Sequence, residues 1–210
     1  VDSFRALRER GYDKWISLEI FDFTPGGVVI AQESMEVLRA LEAAAAFRDR
    51  IATVAKMGAE DYGLTVGIHA HAAGFIDFEP ELERLLSEVD ESILKICFDT
   101  GHHSYAGFDP VAFMKRHIGR ISYMHFKDID PAVKASAIAS RTGFYDACGQ
   151  GIFCNLGRGD VDFPAVRQVL LDARFEGWCT VEQDCDPTLD VRPKDDAQAN
   201  REYLESIGFN

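Results

Sequence analysis

Four short apolar runs in this sequence each close on a side chain that can bind a metal ion. Leu64–Ile68 is followed by His69, with His71 two residues on, and Leu94–Phe98 by Asp99, with His102 three residues on. Ile121–Met124 is followed by His125, and Trp178–Val181 by Glu182. Two imidazoles with two carboxylates form a set that suits Mn²⁺, Co²⁺ or Mg²⁺ better than a thiolate-type structural zinc site; Zn²⁺ also accepts such ligands. None of the five cysteines stands at one of these four tips. A single histidine after an apolar run is ordinarily a satisfied rim residue; only the four tips together point to a shared metal site.

Such groups meet only if the strands that carry them end at one face. Parallel β/α sheets and barrels arrange this, however far apart the strands lie in sequence. The chain has the required alternation. Strands are expected at Trp15–Phe21, Leu64–His69, Ile93–Asp99, Ile121–Phe126 and Trp178–Glu182. Helices are expected at Pro80–Glu88, Pro110–Arg116, Phe163–Ala173 with Asp162 as N-cap, and Asp195–Ser206. A helical pattern from Ala31 to Gly58 is long for one crossover, and Ala43–Ala46 is its natural joint. Lys127–Asp160, with Gly143, Gly149, Gly151, Gly157 and Gly159, reads as a long irregular segment, a feature usually tied to function or mobility. Trp15 and Trp178 begin strands and read as core or barrel-bottom packing. Gly157-x-Gly159 lacks a strand-to-helix dinucleotide context and reads as the turn into the Phe163 helix.

The chain has 210 residues, 47% hydrophobic and 27% charged, with a formal net charge of −13. It is long enough to bury a full core. The acidic balance argues against a nucleic-acid backbone or an anionic membrane as partner and fits a small neutral substrate with a divalent cation. An odd number of cysteines without CxxC spacing points to a reducing, cytoplasmic setting, with Cys97 and Cys179 as small buried hydrophobes. No run has the length of a membrane span and no signal peptide is visible. The chain begins at Val1 rather than Met, as expected of a fragment or a processed product.

Gly11–Glu19 echoes Arg174–Glu182: each follows an apolar-periodic helix and carries a Trp, an apolar alternation and a closing Glu. Read as a repeat, which is favoured over two independent βα units of similar composition, the echo makes residues 1–46 a βα unit resembling the end of one barrel, followed by residues 47–210 as the C-terminal half of another. Glu19 is then a relic of the repeated unit or a functional strand-end carboxylate, and without the other strands the relic is favoured.

From about Gly63 to Asp186 the chain resembles the xylose isomerase-like TIM barrels, which include sugar phosphate isomerases, epimerases and inosose dehydratases. The resemblance is carried by His69-Ala70-His71, Phe98-Asp99-Thr100-Gly101-His102, Met124-His125-Phe126-Lys127-Asp128, Asn155–Phe163 and Gly177–Asp184. The His-x-His, His-x-Lys-Asp and Glu-Gln-Asp forms look most like inosose dehydratases. The head resembles the C-terminal unit of a related isomerase. The resemblance implies an α/β fold, here a partial (β/α)8 barrel of about five parallel strands. The shortfall leaves three readings open: a fusion left by deletion of a middle region, a half-barrel completed by a second copy, or an incomplete chain. An open half-barrel exposes sheet edges, which favours a homo-oligomer.

The resemblance also implies a divalent ion at the barrel mouth. Asp99, His125 and Glu182 match three of its ligands, and His69 falls where many relatives carry a Glu. That replacement removes one of the paired carboxylates of the enediol-forming epimerases and favours a dehydratase. An ion there stabilises the oxyanion formed when a proton leaves the carbon beside a carbonyl, and a nearby acid must protonate the hydroxyl that departs. Lys127, two residues beyond His125, faces the same way on a continuing strand and is a candidate to hold a substrate oxygen or tune a neighbour; the plainer reading is a loop charge paired with Asp128. His71 is a candidate acid or base, or a hydrogen-bond partner of a ligand. His102 is assigned to a substrate hydroxyl or to catalysis, and Asp128 to substrate binding. His103 and His117 read as surface or helix residues. The function expected is dehydration of a cyclic polyol ketone. The alternatives are a sugar isomerase or epimerase on the same metal, or an inactive truncated barrel. A repair endonuclease of the same fold is disfavoured by the acidic charge.

Overall fold

The apolar runs that close on His69, Asp99, His125 and Glu182 form strands. The computed structural model describes residues 16–18, 44–74, 76–185 and 192–209. Trp15, Glu19 and nearly all of the 1–46 unit lie outside these. The described residues fall into two compact units: those up to Phe98 with Gly119–Tyr123, and Asp99–Ile118 with those from Met124 onward.

In the first unit, β1 (Ile16–Leu18) pairs in parallel with β2 (Val66–His69), and β2 with β3 (Leu94–Asp99). The register runs Ile16↔Val66 to Leu18↔Ile68, then Val66↔Leu94 to His69↔Cys97. β2 is buried along its whole length and β3 at every position but Lys95. Continuous apolar strands of this kind are what a sheet covered on both faces requires. Helix α1 (Ala44–Tyr62) passes through Gly58 instead of ending there. That glycine lies against β2, where a Cβ would come within 2.5 Å of Val66 Cγ2. Helix α2 (Glu79–Glu88) turns Leu82, Leu85 and Leu86 inward, and Glu81 Oε2 accepts from the backbone N–H groups of Asp77 and Phe78. The Arg120 guanidinium donates to the carbonyls of Leu86, Val89 and Leu94, tying the end of α2 to the start of β3. β4 (Ile121–Phe126) begins in this unit, where the Ser122 hydroxyl donates to Ile96 O.

In the second unit, Asp99 leads into α3 (Thr100–Tyr105), followed by α4 (Pro110–His117) and the end of β4. Lys127–Asp160 is not irregular. It holds β5 (Asp128–Ile129), α5 (Pro131–Ser140), α6 (Phe144–Gly149) and β6 (Phe153–Cys154), with β5 and β6 antiparallel. The signal for α5 was Asp130-Pro131: Asp130 accepts from the N–H groups of Ala132 and Val133, while proline fills a helix position needing no donor. The same Asp-Pro device starts α4 at Asp109. Asp162 caps α7 (Phe163–Asp172) by accepting from Ala165 N–H. β7 (Trp178–Val181) lies beside β4, and α8 (Pro193–Ser206) follows.

The core of this unit gathers Phe126, Phe163, Phe113, Met114 and Val166. The Phe126 ring meets those of Phe163 and Phe209 edge-on at 5.5 and 5.3 Å. Two packing expectations are corrected. Trp178 is 61% exposed, not core, because β7 alternates an open face (Trp178, Thr180) with a half-buried one. Cys179 is half-buried, whereas Cys97 is fully buried as expected. His103 is a helix residue but not a surface one: it is buried on α3, 4.7 Å from the Phe113 ring. No described helix is long and apolar enough to cross a membrane.

Candidate metal centre

Asp99 ends β3 and caps α3 with one carboxylate oxygen: Oδ1 accepts from His102 N–H at 2.8 Å. The cap fixes the carboxyl group, and its other oxygen, Oδ2, lies 3.6 Å from His125 Nδ1. Thr100 then locks the strand opposite. Its hydroxyl donates to Lys127 O at 2.7 Å and accepts from Lys127 N–H at 3.0 Å. The chain beyond β4 therefore stays extended, and His125 and Lys127, two residues apart, face the same way. Glu182 is set by its own N–H, which donates to Phe126 O at 3.1 Å. A strand-tip carboxylate, a strand-tip imidazole and a second carboxylate thus meet within this unit.

One ligand atom from each of Asp99, His125 and Glu182 lies within 4.8 Å of the others. Donors around one small divalent ion, at about 2.1 Å from it, are at most about 4.2 Å apart. Small side-chain movements close this set around an ion, and two carboxylates with an imidazole are the donors such an ion takes. The residues fit a divalent metal.

Lys127 is 1% exposed and stands at the centre of the charges. Its Nζ lies 3.1 Å from Glu182 Oε2, 3.5 Å from Asp99 Oδ2, 2.9 Å from Asp184 Oδ2 and 3.1 Å from His102 Nε2. It also sits 4.7 Å from the centre of the Phe153 ring. Burial alone would lower its pKa, but the charges of Asp99, Asp184 and Glu182 outweigh burial and raise it. Lys127 is therefore a buried ammonium shared among three carboxylates, not a solvated charge paired with Asp128. Burial would raise the pKa of Glu182, yet its hydrogen bond with His125 Nδ1 (2.8 Å) and the charge on Lys127 bring it down to about 2. Room for the lysine comes from Gly101: a Cβ there would lie 2.6 Å from Lys127 Cγ.

The His102 ring packs 5.4 Å from Phe144 and 5.6 Å from Phe153. Asp128 is otherwise engaged. Its Oδ2 accepts from the N–H groups of Gly157 and Gly159, and its Oδ1 from those of Ile129 and Val161. It holds the 157–161 turn, which Lys134 and Ser104 also clasp through Asp160. His69 and His71 belong to the first unit, at and just past the end of β2. Their rings meet edge to face at 5.6 Å, and the His71 Nδ1 is 2.7 Å from Ala72 O.

Asp184, Thr100, Gly101 and Phe153 are site residues to which the sequence patterns assign no role. Asp184 repeats from Glu182 the two-residue spacing of Lys127 from His125, and that was a signal for it. Phe153 carried none, because its place depends on the fold of 127–160.

The pattern of the family described as xylose isomerase-like TIM barrel matches residues 36–207. The chain is 33% identical over 152 residues to the inosose dehydratase of Clostridium beijerinckii, covering 72% of this chain and 51% of that protein. It spans about half the length of the curated relatives it matches. Among solved structures it resembles the probable 3-DHS dehydratase AsbF, involved in petrobactin synthesis, from Bacillus anthracis: TM-score 0.64 and 19% identity, covering 97% of this chain and 80% of that one. It also resembles the IolI protein with a bound zinc atom: TM-score 0.59 and 16% identity, over 98% and 66%.

Proposed function

We propose, starting from a chain that belongs to the xylose isomerase-like TIM-barrel family, that it serves metal-dependent dehydration of a cyclic polyol ketone, as its inosose dehydratase relatives are named to do. The observation that carries this reading is the meeting of Asp99, His125 and Glu182 around a buried Lys127. The zinc in the IolI structure supports an ion at such a site. A divalent ion held by Asp99, His125 and Glu182 would act as a Lewis acid on a carbonyl oxygen and on the oxyanion that follows proton removal.

Dehydration takes a proton from the carbon beside the carbonyl and a hydroxyl from the next carbon. We assign to Lys127 Nζ the proton that the departing hydroxyl needs in order to leave as water. The ammonium also donates to His102 Nε2, which holds the imidazole proton on Nδ1 and keeps Nε2 as an acceptor. As the lysine gives its proton to the hydroxyl, His102 Nε2 takes the proton that leaves the carbon and passes it to Nζ, which restores both groups. Glu182 and Asp184, with side chains 34% and 43% exposed, are the open rim through which a polyol reaches the buried pair. Asp128 is assigned to holding the 157–161 turn and not to substrate.

The test is metal content by elemental mass spectrometry, wild type beside His125→Ala, followed by incubation with an inosose. About one divalent metal per chain, lost in the variant, with loss of one water from the substrate, is the expected result. A product of unchanged mass would mean isomerisation or epimerisation. No metal in either protein after reconstitution would overturn the site.

A further inference from the structure

We propose that Lys127 is a built-in competitor for the ion: its ammonium engages the ligand oxygens Asp99 Oδ2 and Glu182 Oε2, weakens divalent-cation binding, and is left to Asp184 and His102 when a cation takes those oxygens. This rests on the reading of Asp99, His125 and Glu182 as a metal site.

The geometry has two sides. On the ligand side, Nζ is 3.5 Å from Asp99 Oδ2 and 3.1 Å from Glu182 Oε2. Each oxygen is the one its residue also turns to His125, at 3.6 and 2.8 Å from Nδ1. A cation among the three donor atoms would therefore take up oxygens whose charge the lysine already balances. On the other side, the same Nζ already contacts Asp184 Oδ2 at 2.9 Å, His102 Nε2 at 3.1 Å and the Phe153 ring at 4.7 Å, partners that keep the ammonium when its other two oxygens are taken. The stem cannot retreat far, because Gly101 packs directly against Cβ, Cγ and Cδ of Lys127. Two positive charges held this close in a buried site repel strongly, so the lysine must lower cation affinity. It keeps three carboxylates together when no cation binds them, and it stands beside the ion once one does. A residue argued only as an acid would not need contact with the ligand oxygens.

The experiment is calorimetric titration of the whole chain with Mn²⁺, and separately with Mg²⁺, at one fixed pH. Wild type is compared with Lys127→Met, Lys127→Arg and Glu182→Gln. Lys127→Met removes the charge and keeps the stem, and it should bind Mn²⁺ at least tenfold more tightly. Lys127→Arg keeps the charge and should stay within about threefold of wild type, and Glu182→Gln should lose binding. Lys127→Met with unchanged or weaker affinity, while Glu182→Gln loses binding, overturns the competition and leaves the metal site standing. Glu182→Gln binding as wild type does overturns the metal site and the competition with it. Because a buried variant can fail to fold, the unmodified protein supplies a second measurement. The ε-methylene resonance of Lys127, assigned by its loss in Lys127→Arg, should move as Mg²⁺ saturates the site; a resonance that stays in place under calorimetric saturation overturns the proposal.

Discussion

Gly101 lies where the stem of Lys127 crosses α3, and a Cβ on it would stand 2.6 Å from Lys127 Cγ and 2.8 Å from Lys127 Cβ. The glycine is needed there for space. Its neighbour Thr100 fixes the Lys127 backbone from both sides, so the lysine cannot shift as a whole. Gly101→Ala must push the stem aside and take the ammonium off its carboxylates. Any reaction that runs through Lys127, the proposed dehydration first, should slow at least about tenfold, equivalent to about 1.4 kcal/mol in the barrier. The cost in stability should be about 1–3 kcal/mol, as for overpacking. Steady-state kinetics with a urea melt checks both, and unchanged turnover would mean that the position of Lys127 does not matter.

Asp128 gathers four backbone N–H groups on one carboxylate, those of Ile129, Gly157, Gly159 and Val161. Removing it strands donors in a turn that is only partly open to water. Asp128→Ala should cost about 3 kcal/mol, and amide hydrogen exchange should speed up first at Gly157, Gly159 and Val161. Asp128→Asn keeps one acceptor oxygen and should fall between Asp128→Ala and wild type. Exchange rates unchanged in Asp128→Ala would remove the anchoring role.

Much of this site could be read from sequence, for a physical reason. Asp99, His125 and Glu182 each follow a run apolar enough to be a buried strand, and parallel strands bring their tips together. Periodicity of two also placed Lys127 on the face of His125. It could not say whether that face met water or carboxylates, because the answer lies with Asp99 and Asp184, far away in sequence. Phe153 and Phe144 were hidden for a related reason: the glycines of 127–160 disguised short helices whose start was marked only by Asp130-Pro131. Trp178 misled because an apolar side chain on a strand does not reveal which face of that strand is covered.

The cysteines differ in reactivity for reasons visible in their surroundings. Burial pushes the thiols of Cys148, Cys154 and Cys179 up to about 12, and nearby carboxylates add to this at Cys148 and Cys154. A thiol raised in the folded state forms its reactive thiolate only as pH climbs toward that value, so these three should be nearly inert at pH 8. Cys185 is exposed. Limited iodoacetamide treatment of the native protein, read by peptide mass spectrometry, should mark Cys185 first. Labelling of the other three should rise about tenfold per pH unit. Early labelling of Cys148 would show that α6 opens.

Asn200 on α8 is 2% exposed and ties three parts of the second unit together. Its Oδ1 accepts from Leu156 N–H at 2.8 Å, and its amide donates to Gln183 Oε1 at 3.1 Å. Gln183 in turn donates to Asn155 Oδ1 at 3.3 Å. Gln183 is the residue after Glu182, so the relay runs from α8 to the carboxylate end of β7. Asn200→Ala leaves Leu156 N–H and Gln183 Oε1 without these bonds and should cost about 2 kcal/mol in a urea melt. Asn200→Asp keeps the acceptor for Leu156 but presents a carboxylate to Gln183 Oε1, so it should recover only part of that loss. If the relay also positions Glu182, both variants should weaken Mn²⁺ binding, and more so in Asn200→Ala. Equal Mn²⁺ affinity in wild type and Asn200→Ala, despite lost stability, would confine Asn200 to holding α8 in place.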